Sequence, residues 1–250
     1  MANYSTLPSL LSDDIECFIF DSIPSTNDYL TNLEFSLATQ ICITSEQTHG
    51  KGQYERKWLS KKDSSVLLSI KQVFSTDTSL NGLSLVVGLA VIDILEEYKA
   101  GNLKLKWPND VFSEHKKLAG ILIENSVQNN YQSVVIGLGL NNNLGDSLEC
   151  KTPWTDLSRL LSRQVDLEEL SAKLINNIIK YCNIFEKSGL GYFQNLWDKY
   201  DYLANSKLKL QYKGKDVVGV AAGISKQGAL LIKVGNEVIE SYSSEQISFI

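Results

Sequence analysis

The chain has 250 residues, 43% of them hydrophobic and 21% charged, with 24 Lys and Arg against 29 Asp and Glu for a formal net charge of −5. That is an ordinary globular composition, sized for one large domain or a large one with a small companion, and its acidity works against a nucleic-acid partner. The four cysteines, Cys17, Cys42, Cys150 and Cys182, show no Cys-x-x-Cys spacing, which excludes a disulfide framework or zinc site, suits a reducing cytoplasm and leaves each as a small buried residue.

The opening "MANYSTLPSLLSDDIECF" has neither the basic start nor the apolar core of a signal peptide. "CFIFDSI" reads as a strand and "STNDYLTNL" as a short helix with a Ser/Thr/Asn start. "ATQICITSE" is a strand that runs into "SEQTHGKGQYERKWLS", and "SSVLLSIKQV" is the strand that leaves it. In this loop Gly50 and Gly52 sit among Lys51, Arg56, Lys57, Lys61 and Lys62, opposed only by Glu55 before Asp63. Glycines here can aim successive amides at an anion, and the cations suit a polyphosphate. The spacing is neither a Walker loop nor a dinucleotide fingerprint. An exposed hairpin with a solvated face explains the loop equally well.

"GLSLVVGLAVIDIL", Gly82 to Leu95, is apolar on all sides, broken by Ser84 and Asp93. It falls short of the roughly 20 residues a bilayer requires and reads as a buried central helix. Three β-rich runs follow: "LKLKW", "KLAGILIENSV" and "YQSVVIGLGLN". In "LKLKWPNDVF", Lys106 at a strand end can pair with phosphate, and Asp110 can hold Mg²⁺, which commonly binds through one or two carboxylates plus phosphates. A plain Pro-Asn-Asp turn is the alternative. Lys117 precedes an apolar strand containing Gly120 and can polarise a carboxylate or phosphoryl oxygen, or simply face solvent beside Lys116. Gly137 and Gly139 admit a flat ligand or close packing. Apolar spacing predicts a helix from Asp166 to Lys187 and another over Tyr192 to Tyr200. After Ala204, short alternating strands separated by Lys-Gly, Gln-Gly and Gly-Asn turns predict a small β-barrel. The division expected is 1–204 and 205–250, in the α+β class.

In this order "STN" (Ser25–Asn27), "GKG…RKW", "KWPND", "KLAGILIE", "IGLGLN" and "GISKQGALLI" resemble the biotin protein ligase family, from about Asp21 to the C-terminus. The resemblance implies a class II synthetase-like catalytic core, a mixed β-sheet with helices, plus the small C-terminal β-barrel. It implies formation of biotinyl-5′-AMP from biotin and MgATP, then transfer of biotin to a lysine of a biotin carboxyl carrier domain of a carboxylase. Ser25, Thr26 and Gln47 match polar contacts to the biotin ureido ring, with Gly50, Lys51, Gly120 and Gly137 lining the same pocket. Lys117 matches the catalytic lysine, Asp110 organises Mg²⁺ or phosphate, and Arg56 and Lys106 face the triphosphate. Gln53, Trp58, Asn109, Gly139 and Asn141 belong to the nucleotide side. Lysine at 51, Gln53 and Tyr54 depart from the arginines that family loops often carry, and lysine loses bidentate phosphate geometry.

The implied setting is cytoplasmic, without membrane or nucleic acid, and admits a homodimer. Some twenty residues before the matched core leave no room for the N-terminal DNA-binding domain of repressor members. The rival enzyme is a lipoate ligase or octanoyltransferase of the same core fold, whose transferase chemistry wants a positioned cysteine. The rivals outside catalysis are a binding module and a DNA-binding regulator.

Overall fold

The computed structural model describes residues 4–145, 150, 152–161, 163–212, 215–244 and 247–249. Seven strands form the large sheet: β1 (Glu16–Phe20), β2 (Gln40–Thr44), β3 (Ser65–Ser75), β4 (Leu103–Lys106), β5 (Asp110–Ser113), β6 (Lys116–Gln128) and β7 (Tyr131–Asn141), in the order β1-β2-β3-β7-β6-β5-β4. Only β1 and β2 run parallel; every other pair is antiparallel. The helices are α1 (Thr26–Thr31), α2 (Leu83–Glu97), α3 (Leu157–Leu161), α4 (Leu167–Ser188) and α5 (Gln194–Tyr200).

Strand parity decides what each face of this sheet can do. On one face Ile41, Ile43, Val66, Leu68, Ile70, Ala119, Ile121, Ile136 and Leu138 join the main core, against which α2 and α4 pack. The all-round apolar character expected of α2 is realised: Leu85, Val86, Val87, Leu89, Val91 and Ile92 are all buried. Asp93, the charge that interrupts the run, accepts hydrogen bonds from Asn177 Nδ2 and Tyr181 Oη of α4, each at 3.1 Å. On the other face α1 covers a small cluster of Leu30, Cys42 and Val135. Beyond that cluster side chains go missing at the registered positions: Gly137 stands between Ser69 and Leu122, and Gly120 lies opposite Gly139. Too little side chain is present there to fill the layer, so a cavity opens.

The β5–β6 register slips by one residue, Val111 pairing with Ala119 but Phe112 with Lys117. This bulge changes the parity of β6. Lys117 therefore turns to the Gly120 face, where its Nζ lies 3.0 Å from where a Cβ on Gly120 would be, instead of following Ala119 and Ile121 into the core.

The C-terminal strands β8 (Lys207–Tyr212), β9 (Lys215–Ile224), β10 (Leu230–Val234), β11 (Glu237–Ser241) and β12 (Ile247–Phe249) form a separate barrel-like antiparallel sheet in the order β11-β10-β9-β8-β12. Its Gln227-Gly228 and Gly235-Asn236 turns fall where expected; the Lys213-Gly214 turn lies outside the described residues. Leu208, Leu210, Ile224, Leu230 and Ile232 share the main apolar cluster with α2 and the large sheet.

Some local structure departs from the sequence reading. β5 and α3 carry no sequence signal of their own, and the helix expected from Tyr192 begins as a 3-10 turn (Leu190–Phe193) before α5. Cys42 and Cys182 are buried, but Cys17 is half-buried and Cys150 exposed. Among the described residues no helix is long and apolar enough to cross a membrane.

Candidate active site

The cavity is an open cleft between the start of α1, the basic loop and the glycine-bearing stretches of β6 and β7. One end is polar. The backbone N–H of Thr26 donates to Gln47 Oε1 at 2.8 Å, and Ser69 Oγ lies 2.7 Å from Thr26 Oγ1 and 2.6 Å from Asn27 Oδ1. Ser25 starts α1, its hydroxyl accepting from Asp28 N–H at 3.3 Å. The strand–cap–helix order of "DSIPSTNDYL" thus delivers three consecutive polar residues to the cavity.

The floor is made where side chains are missing. A Cβ on Gly137 would overlap the Asn27 amide, and one on Gly139 would stand 2.6 Å from Trp58 Cζ2. Asn27 and Trp58 therefore occupy the open faces of these glycines, with Trp58 lying over Gly139 and Gly120. The Trp58 indole N–H is buried without a hydrogen-bond partner.

The other end is charged. Lys117 Nζ lies 2.7 Å from Asp110 Oδ1 and 5.4 Å from the Trp58 ring centre. Lys106, last in β4, is the cross-strand partner of Asp110, first in β5. Its ammonium lies 5.1 Å from the Phe112 ring centre. Burial pushes Lys106 below the ordinary lysine value; Asp110 opposes that shift and Lys117 adds to it. The "WPN" turn between the two strands is locked onto β6, because Asn109 Nδ2 donates to Ile121 O at 2.7 Å and Ile121 N–H to Asn109 O at 2.9 Å. Asn141 Nδ2 donates to Thr155 O at 3.0 Å and Lys117 O at 3.4 Å, holding the backbone beneath the lysine.

The basic loop is a tight hairpin. Gly52 N–H donates to Arg56 O at 2.7 Å and Trp58 N–H to Gly50 O at 2.9 Å, so those amides close the turn rather than face an anion. The left-handed conformations fall on Tyr54 (φ 55°) and Glu55 (φ 57°), not on the glycines. Lys51 forms an ion pair with Asp28 of α1, whose hydrogen bond raises the lysine pKa. Tyr54 Oη lies 3.3 Å from Ser243 Oγ of the C-terminal sheet.

Of the residues singled out in the sequence, Ser25, Thr26, Gln47, Lys51, Gln53, Trp58, Asn109, Lys117, Gly120, Gly137 and Gly139 line the cavity. Lys106 and Asp110 stand behind Lys117. Gly50 packs under the loop, where a Cβ would meet Trp58 O at 2.8 Å. Arg56 is exposed beside Tyr54, and neither it nor Asn141 borders the cavity. Sequence reasoning passed over Asn27, Ser69 and Glu124, and over Leu122, which lines the cavity on the glycine face. Asn27 stood inside "STN", and Glu124 shares the parity of Gly120 and Leu122. Among the described residues no three His, Cys, Asp or Glu cluster as a metal site. Asp110 alone suits a cation that arrives already held by phosphates, and not a resident one.

Residues 19–141 match the biotin/lipoate A/B protein ligase family, and residues 207–249 match the biotin protein ligase C terminal domain. The bifunctional ligase/repressor BirA of Escherichia coli is 32% identical over 231 residues, which span 90% of this chain and 71% of that one. A biotin–[acetyl-CoA-carboxylase] ligase of Mycobacterium tuberculosis is 31% identical, over 80% of this chain and 75% of its own. The biotin protein ligase of Aquifex aeolicus, solved in complex with biotin and ATP, superposes with a TM-score of 0.79 at 26% identity, over 94% of this chain and 98% of that one. Both parts of the fold, and the relatives that span them together, agree: this chain belongs to the biotin protein ligase family.

Proposed function

We propose a division of labour along the cavity for an ATP-dependent biotin protein ligase, carried by one observation: the Lys117–Asp110 pair at the end opposite the hydroxyls and amides of Thr26, Gln47 and Ser69. The enzyme makes biotinyl-5′-AMP and then passes biotin to a carrier lysine. In the first step a biotin carboxylate oxygen bonds to the α-phosphorus of ATP, and the bond to the pyrophosphate leaving group breaks. Lys117 and Lys106 lie where two anions must approach each other, so their charge offsets that repulsion and stabilises the charge that builds at phosphorus. Asp110 keeps Lys117 in place, and it is the carboxylate that would hold a Mg²⁺ brought by ATP, whose charge would help neutralise the phosphates. In the second step the acceptor amine attacks the acyl carbon, AMP leaves and an amide forms. Trp58 and Gln53 serve the nucleotide from the cavity lining, Arg56 serves it from the exposed part of the loop, and the basic loop keeps water from the anhydride.

The acceptor is a carboxyl carrier domain and the setting the cytoplasm. The catalytic unit ends near residue 204, and the sheet from residue 205 serves the nucleotide and the acceptor. A homodimer would form at an edge of the large sheet. The cysteines support biotin over octanoyl transfer, because none borders the cavity. The test is pyrophosphate release from ATP on adding biotin or lipoate: release with biotin alone is expected, and release with lipoate alone would overturn the reading.

A further inference from the structure

Lys117 stands where the large sheet changes partners. β7 accompanies β6 only as far as Leu140, opposite Ala119. The chain then swings across to Ser64, whose carbonyl accepts from Asn142 and Asn143 N–H at 3.0 and 2.9 Å. The place it leaves beside Lys117 is taken by residues 153–155. Lys117 N–H donates to Pro153 O at 2.9 Å, and Thr155 N–H donates to Lys117 O at 3.0 Å, a parallel bridge centred on Trp154. Both backbone groups of the lysine are thereby held by one short segment. Asn141 Nδ2 draws the Thr155 and Lys117 carbonyls together, at 3.0 and 3.4 Å.

That segment ends on Asp156, which is 1% exposed. Its Oδ1 accepts from Ser158 Oγ at 2.8 Å and Arg159 N–H at 3.0 Å, capping α3. Its Oδ2 accepts from Leu144 N–H at 3.0 Å, in the turn that follows β7. One buried carboxylate thus ties the departing end of β7 to the returning segment. Arg159 adds a second tie: its Nη2 donates to Gly145 O at 3.0 Å, and its guanidinium lies 4.3 Å from the Trp154 ring centre. Neither Asp156 nor Arg159 borders the cavity.

We propose that residues 153–156 are a strap that sets the backbone of Lys117, with Asp156 its anchor and a positioning residue for adenylate formation. The proposal rests on the reading that Lys117 meets the biotin carboxylate and the α-phosphate. A lysine side chain is long and flexible, so its charge is aimed only if both ends are fixed. Asp110 fixes the ammonium, at 2.7 Å, and the strap fixes the peptide. When the substrates draw the ammonium from Asp110, the strap still holds the root of the side chain, and the cation needs no large reorganisation as charge builds at phosphorus.

The test compares the full chain with Asp156→Asn and Arg159→Met, each also combined with Lys117→Met, and reads pyrophosphate release alongside calorimetric biotin binding. Asparagine keeps one oxygen for Ser158 and Arg159 but sets an NH₂ against the Leu144 N–H, so the tie to β7 is lost. Release at saturating substrate should slow about tenfold, since misplacing a reacting group by ~1 Å costs up to about 100-fold. Biotin affinity should stay within about twofold, as for sites that share no partner. On Lys117→Met, Asp156→Asn should slow release no further, because its effect passes through an ammonium that is gone. Arg159→Met, at a side chain already partly exposed, should give a milder form of the same pattern, about threefold, and it decides the matter should Asp156→Asn not fold. Amide exchange at Lys117 and Thr155 should quicken in both variants while α4 stays protected. Normal release from the folded variants, equal slowing with and without the Lys117 side chain, or a loss of biotin affinity as large as the loss of rate would each overturn the strap. Near-normal release from Lys117→Met itself would instead overturn the reading of that lysine, and the strap proposal with it.

Discussion

Two lysines sit within reach of one carboxylate, and they respond differently to removal. Lys117 is held by Asp110 and by a bulge that exists to turn it, so its loss changes chemistry more than folding. Lys117→Met is expected to keep the fold and to slow biotin-dependent pyrophosphate release by about 100-fold or more, the scale of losing a preorganised electrostatic group. Near-normal release from a folded variant would remove Lys117 from its role. Lys106 is different because burial depresses its pKa. Below the folded pKa the lysine is charged in both states and its burial cost is fully present. Between the folded pKa and the ordinary lysine value, about 10.5, the unfolded chain binds a proton that the folded chain does not, so stability rises with pH across that window. Lys106→Met should therefore raise the thermal midpoint at pH 7, with the gain shrinking as pH approaches that value, while ATP-dependent turnover falls at least about tenfold. A lower midpoint at pH 7, or a gain that persists above pH ~10.5, would refute this balance.

The basic loop buries little apolar surface, and its anchors are few: the Lys51–Asp28 pair, the Tyr54–Ser243 contact and Trp58 on the glycine floor. Such a segment opens at low free-energy cost. Tryptic cleavage at Lys51, Arg56 and Lys57 should proceed readily in the free protein and slow about tenfold or more with biotin plus ATP; an unchanged rate would refute the lid. The loop also marks how far sequence reasoning reached. Position and charge were legible, but not that Gly52 N–H is spent on Arg56 O, since closing a hairpin and cradling an anion call for the same glycines. Long periodic elements were legible nearly to the residue: α4 was expected over 166–187 and spans Leu167–Ser188, and β7 fills "YQSVVIGLGLN". The four-residue β5 was hidden because a Pro-Asn-Asp turn and a strand start share Asp110. Strand order was illegible too, because the β3–β7 pairing rests on long-range contacts that no local pattern encodes. The same blindness hid the hydrogen bond from Asn27 to Glu124, since the two residues meet only after α1 folds onto the sheet.

At the scale of the molecule the two sheets are joined by more than a linker. Trp107 of "KWPND" donates its indole N–H to Gly228 O at 2.9 Å, across from the turn that carries Lys226 and Gln227. Those two side chains are exposed, while Gly228 faces Gly82 at the start of α2, where a Cβ would stand 2.9 Å from Gly82 Cα. Gly228 has φ +77°, so the turn needs glycine for its conformation as well as for its space. Tyr202 N–H donates to Leu105 O at 3.1 Å, and the apolar residues of β8, β9 and β10 merge with the core of the large sheet. A boundary near residue 204 therefore describes topology, while stability is shared. Denaturant unfolding should accordingly be one transition, with tryptophan fluorescence, whose four reporters all precede residue 204, coinciding with loss of amide protection in β8–β10. Gly228→Val should break this coupling. The branched side chain can neither adopt the left-handed turn cheaply nor fit against Gly82, a combined cost of about 2–4 kcal/mol. The C-terminal sheet should then lose protection at lower denaturant than the fluorescence transition, and transfer to a carrier domain should fall further than biotin binding. Two separated transitions in the wild type, or a single coincident one in Gly228→Val at unchanged midpoint, would show that the sheets are stabilised independently.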